Sequence, residues 1–115
     1  MFEPDPAPEG YANYIGLPVV LKPSNQVSNA RQRTSLKPQL QALHTRYPEV
    51  TIPIEIIHGD ADTTVGLTVH STRLRDDAPG ANLTILPNAG HMPHHTHEAD
   101  TLAAFDRAAA RAGLR

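Results

Sequence analysis

Cysteine and tryptophan are both missing from the 115 residues. Without cysteine there is no disulfide framework, no thiolate metal site and no cysteine nucleophile in this stretch. Aromatic residues make up only 4% of the chain, so a core has to come from Leu, Ile, Val and Ala. A strong charge of one sign is lacking too. The formal net charge of -2 gives no electrostatic ground for nucleic acid or an anionic membrane as partner. No apolar run approaches the roughly 18 residues of a spanning helix. The first ten residues are acidic and hold three of the eleven prolines, the wrong character for a secretory signal. These exclusions leave a soluble, cytoplasmic chain of one domain at most, able to bury a modest core.

What is present centres on two stretches with the same grammar. Residues 52–62 read IPIEIIHGDAD, and residues 82–91 read NLTILPNAGH. Each is a run of strand-forming residues, then a break at small residues, then a titratable group just past the carboxyl end of the strand. Open α/β sheets bind their ligands at those ends. The first strand is apolar on both faces except for Glu55, as expected of a strand covered on both sides.

The rest of the chain is uneven in information. Residues 1–10 read as a disordered or loosely packed lead-in. Residues 11–21 are apolar but broken by Gly16 and Pro18, and 22–34 are polar without periodicity, so loop is expected there with one helical turn at most. From Ser35, a candidate N-cap, Leu36, Leu40, Leu43 and Tyr47 recur at helical spacing, and Pro48 ends the pattern. Leu67, Val69, His70, Leu74 and Ala78 suit a helix closed by Pro79-Gly80. Thr96 to Arg111 reads as a helix with Leu102, Phe105 and Ala109 on its buried face, acidic at its start and basic at its end, as the helix dipole favours. Helix–strand–helix–strand–helix with short turns predicts right-handed crossovers and a parallel sheet. Two strands are too few for a stable sheet of that kind. The expected architecture is therefore the end of a larger α/β domain, incomplete on its own, with 1–34 as lead-in and 35–115 as core.

Asp62 and His91 are the candidate catalytic residues. A carboxylate placed on one imidazole nitrogen fixes the tautomer and stabilises the imidazolium, leaving the other nitrogen to move a proton. Taken singly, Asp62 could be a turn aspartate bonded to backbone amides, and His91 a surface histidine. One strand–helix–strand crossover brings both to the same sheet edge. Asp60 is the competing acid and is assigned to capping its own turn. His91, His94, His95 and His97 invite a metal reading, but no H-E-x-x-H accompanies them and no metal or cofactor is assigned. His44, His58 and His70 read as structural, with His58 near the site. None of Ser24, Ser28, Ser35 and Ser71 lies in the G-x-S-x-G elbow that positions a nucleophilic serine.

Residues 54–65, His70-Ser71 with Leu74, Pro79 to Pro87 and Asn88 to Met92 together resemble the C-terminal third of an α/β-hydrolase. The likeness covers roughly residues 35–110, with 11–34 similar to the end of that fold's cap or lid. Gly66 stands where the family frequently has proline. The resemblance implies that Asp62 and His91 are the acid and histidine of a catalytic triad following the last two strands. It also implies that the nucleophile and the oxyanion-hole amides lie before Met1, so that the chain by itself is inactive. The implied activity is hydrolysis of a small apolar ester or a similar bond, with a small-molecule substrate and with a homo-oligomer or a complementing chain as possible partners. Two other readings stay open at this point: a non-catalytic interaction module of the same descent, and a histidine-rich metal-binding protein.

Overall fold

Pro53 has no N–H to give a neighbour, and the first β-strand starts directly after it. β1 spans Ile54–Gly59 and β2 spans Ala81–Leu86. They pair in parallel, Ile54 opposite Ala81 and Gly59 opposite Leu86, as a two-stranded sheet. The structure is a computed structural model that describes residues 1–114. The element order is α1 (Tyr11–Tyr14), α2 (Leu17–Val20), α3 (Pro23–Leu43), a 3-10 turn over His44–Glu49, β1, α4 (Ser71–Asp77), β2, α5 (Pro93–Thr96) and α6 (Glu98–Arg111). The chain is thus mixed α/β with a small parallel sheet.

It divides into two compact units. One takes in Met1–Ala7 and the chain from Tyr47 onward, and the other takes in Pro8–Arg46. The boundaries therefore fall at 7/8 and 46/47, whereas the sequence suggested one near residue 34.

In the helical unit, α3 begins a dozen residues before the expected start at Ser35. Pro23 sits at the first turn, where its missing N–H costs nothing. Ser28, Thr34 and Ser35 turn their hydroxyls back onto carbonyls three or four residues earlier, which removes their competition with the helix ladder. None of α1, α2 or α3 contains a buried residue. Apolar residues recur at helical spacing only from Leu36 onward, so the polar first half of α3 read as loop. The Leu36, Leu40 and Leu43 stripe itself is 48%, 41% and 49% exposed.

In the sheet unit, α4 packs on both strands and α6 on β1. The buried apolar residues are Ala78, Leu86, Ala89 and Ala104, all of moderate size or small, with His58 and Ser71 buried among them. The α6 face that meets the sheet differs from the expected one. Ala104 is buried, whereas Leu102 and Phe105 are 56% and 68% exposed. The cause is ionic. Arg107 and Arg111 continue the Ala104 stripe at helical spacing, and both reach Glu55 on β1, so the helix is rotated to the face that carries them. Beside that face lies a cavity of about 290 Å³ lined by Ile57, Pro93, His94, Ala104 and Phe105, among others.

The first residues are not loose. Asp5 accepts a hydrogen bond from the Gly90 amide at 2.9 Å, and a Cβ at Gly90 would run into the carbonyls of Phe2 and Glu3. Composition suggested disorder because the segment carries little apolar material. What holds it is backbone and carboxylate bonding, which composition does not report.

Candidate functional site

Both strands end in turns that are tied to each other before any side chain is considered. The Asp60 amide donates to Leu86 O at 3.0 Å and the Ala61 amide to Ala89 O at 3.1 Å. Gly59 is required between them, because a Cβ there would overlap the carbonyl of Ala89. The Asp60 carboxylate takes the Asn88 amide at 2.6 Å, across to a residue in the left-handed region at φ 55. Asp60 therefore has a cross-turn bonding role, one strand over from the turn it was expected to cap.

This lashing sets Asp62 and His91 side by side. His91 Nδ1 lies 2.8 Å from Asp62 Oδ2. A carboxylate only accepts, so the proton is on Nδ1 and Nε2 is the basic nitrogen of the neutral ring. The other carboxylate oxygen, Oδ1, accepts the amides of Thr64 at 2.7 Å and Val65 at 2.9 Å. The Asp62 side chain is 5% exposed and that of His91 29%. Burial by itself would raise the Asp62 carboxyl. The bonds from His91, Val65 and Thr64 outweigh it, and the group is held below its ordinary value. An ionised acid buried under a partly open imidazole is the arrangement that a general base needs. His91 Nε2 has no hydrogen-bond partner among the described residues.

A second set of Ser, His and Asp lies close by and is different in kind. Ser71 Oγ is 2.7 Å from His58 Nδ1, and His58 Nε2 is 3.1 Å from the Val65 carbonyl and 3.6 Å from Asp62 Oδ2. Ser71 and His58 are both buried, so a substrate cannot reach that hydroxyl. The Nε2 proton is already committed to a carbonyl. The set bonds the loop together and has no spare base.

The histidine-rich turn disperses. His97 Nδ1 meets Thr96 Oγ1 at 2.9 Å, while His95 faces Phe2, with ring centroids 6.2 Å apart. His94 lies 4.2 Å from His95, ring to ring. Burial first, then the neighbouring His95 and His91, push His94 below the ordinary histidine value. Among the described residues no three His, Cys, Asp or Glu side chains converge to hold a metal ion.

Sequence reasoning missed the supports. The Thr64 and Val65 amides fit the turn-aspartate alternative for Asp62, which the structure combines with the bond to His91. Asp5 had no local signal, since its bond to Gly90 spans 85 positions. Glu55 was visible as an anomaly, and Arg107 and Arg111 four apart on one helix were the signal of its partners. The cavity beside α6 is lined by neither Asp62 nor His91, so it is separate from this pair.

No protein-family model, curated protein or solved structure matches the chain. No helix of the described residues is long and apolar enough to cross a membrane.

Proposed function

We propose that the chain carries the acid–base half of a hydrolase of the α/β-hydrolase type, with Asp62 as orienting acid and His91 as general base. The observation that carries the reading is the 2.8 Å bond from His91 Nδ1 to an Asp62 carboxylate whose other oxygen is taken by two amides. In the proposed reaction His91 Nε2 accepts the proton of a serine nucleophile or, where the nucleophile is an aspartate carboxylate, the proton of the water that hydrolyses the covalent ester it forms. Asp62 stays ionised and stabilises the imidazolium, which then returns the proton from Nε2 to the leaving group. The substrate class is a small apolar ester or a similarly cleaved bond. Three serine hydroxyls are already engaged elsewhere. Ser28 and Ser35 bond their own helix, and Ser71 is buried on His58. The nucleophile is thus assigned to polypeptide outside these 115 residues, continuous with the chain or supplied by a complementing chain.

The test starts with the coding DNA adjoining the chain and with any polypeptide that copurifies with it. An in-frame G-x-S-x-G or G-x-D-x-x-G between a strand and a helix supplies the complete enzyme. In that enzyme His91→Ala is expected to lower kcat by about 10⁴-fold with the melting temperature unchanged. Turnover near wild type in the variant, or no nucleophile in either source, overturns the proposal.

A further inference from the structure

The acid–base pair uses neither nitrogen of His58, yet this ring is buried at the end of β1 and fully bonded. We propose that His58 is a positioning residue that holds the Asp62 loop closed and thereby aims Asp62 at His91, an inference that rests on the acid–base reading above.

Val65 is gripped from both sides. Its amide donates to Asp62 Oδ1 at 2.9 Å, and its carbonyl lies 3.1 Å from His58 Nε2. A carbonyl only accepts, so Nε2 carries the proton, and Nδ1 accepts from the Ser71 hydroxyl at 2.7 Å. The chain of contacts runs from Ser71 at the first turn of α4, through His58 and Val65, to Asp62 and His91. Each link fixes the next: the hydroxyl sets the ring, the ring sets the Val65 carbonyl, and the Val65 amide sets one carboxylate oxygen. The other oxygen is then left for His91. His58 Nε2 also lies 3.6 Å from that second oxygen, too long for a hydrogen bond. The oxygen that takes the His91 hydrogen bond is thereby also faced by the His58 N–H edge. Removing the ring leaves the Val65 carbonyl without its donor, and a part-buried carbonyl in that condition is free-energetically unfavourable until the loop opens to water. A loop opened in this way no longer delivers two amides to Oδ1.

A ring that merely fills space would be replaceable by phenylalanine without consequence for His91, and that contrast gives the test. In the ¹⁵N-labelled complete protein the wild type is expected to show a downfield, slowly exchanging His91 Nδ1–H and a His58 ring in the Nε2–H tautomer. His58→Phe is expected to lose the His91 signal while the β1–β2 amides stay protected. His58→Gln, whose side-chain amide can donate to the same carbonyl, is expected to restore part of it. Ser71→Ala is expected to broaden the signal, because His58 Nδ1 loses its donor. A His91 signal unchanged in a folded His58→Phe overturns the role of His58 and leaves the acid–base pair standing. A folded wild-type protein without any His91 Nδ1–H signal removes the pair itself, and both readings go with it. Should His58→Phe fail to fold, the wild-type ring and Ser71→Ala decide. The Nδ1–H tautomer at His58, or an unaltered His91 signal in Ser71→Ala, overturns the proposal.

Discussion

The two ends of the sheet each hold a buried carboxylate, and they spend it differently. At the amino end Glu55, 4% exposed, takes Arg107 Nε at 3.0 Å, Arg111 Nη1 at 2.6 Å and Asn82 Nδ2 at 2.9 Å. Arg111 goes on to the carbonyls of Ile54 and Gly80, and Arg107 to the Thr84 hydroxyl. Burial by itself would raise Glu55, but the two guanidinium groups and Asn82 hold it below its ordinary value. Arginine keeps its charge at any accessible pH, so this end is a fixed clasp between α6 and both strands. At the carboxyl end Asp62 is as buried, but its side-chain partner is the His91 imidazole, bonded through Nδ1 and 29% exposed. A carboxylate tied to arginine locks geometry, and one tied to a histidine with a spare nitrogen can do chemistry.

The comparison breaks most visibly if the two acids are neutralised in turn. In the complete enzyme Asp62→Asn is expected to reduce kcat by about 10⁴-fold, as the amide lets His91 turn to the wrong tautomer. Its urea midpoint should move little. Steady-state kinetics and a denaturation curve on one preparation check both halves. Glu55→Ala should do the reverse. It strands two arginines against the sheet, with a stability loss of about 2 kcal/mol, reduced from the fully buried case because the Arg107 side chain is 44% exposed. The His91 Nδ1–H resonance is expected to persist in that variant, and its disappearance would mean that the two ends are coupled.

A smaller, graded effect comes from pH. All three perturbed groups have folded values below their ordinary ones: His94 from 6.5, Glu55 from 4.5 and Asp62 from 3.8. A depressed group contributes stability that is complete above its unfolded value and is lost as pH falls through its folded value. Stability is therefore expected to decline in two steps on acidification, the first below about 6.5 from His94 and the second below about 4.5 from Glu55 and Asp62. Urea midpoints measured across this range check the sign. A rise in stability between pH 6.5 and 5 would contradict it. His94→Gln should flatten the first step only.

The parts of this structure that were legible in the sequence are those that local pattern controls. Both strands, the crossover helix between them and the parallel pairing follow from β-branched runs, turn residues and chain order. The proximity of Asp62 and His91 was legible because each sits just past a strand end with a glycine near it. Where the reading departed, long-range polar bonding had set the outcome. The face of α6 was chosen by Arg107 and Arg111 reaching Glu55, which a hydrophobic periodicity cannot represent. Residues 1–7 were placed by a carboxylate and two carbonyls meeting Gly90. The first half of α3 was invisible for the opposite reason, since residues 23–34 are largely polar and give an apolar periodicity nothing to detect.

The bond from Asp5 to the Gly90 amide closes a loop of 85 positions immediately before His91. Contacts of such separation form late, because the ordering of the intervening polypeptide precedes the reward for making them. The turn that carries His91 is thus anchored to polypeptide 85 positions away, so the setting of one imidazole depends on residues that leave no trace in its own neighbourhood.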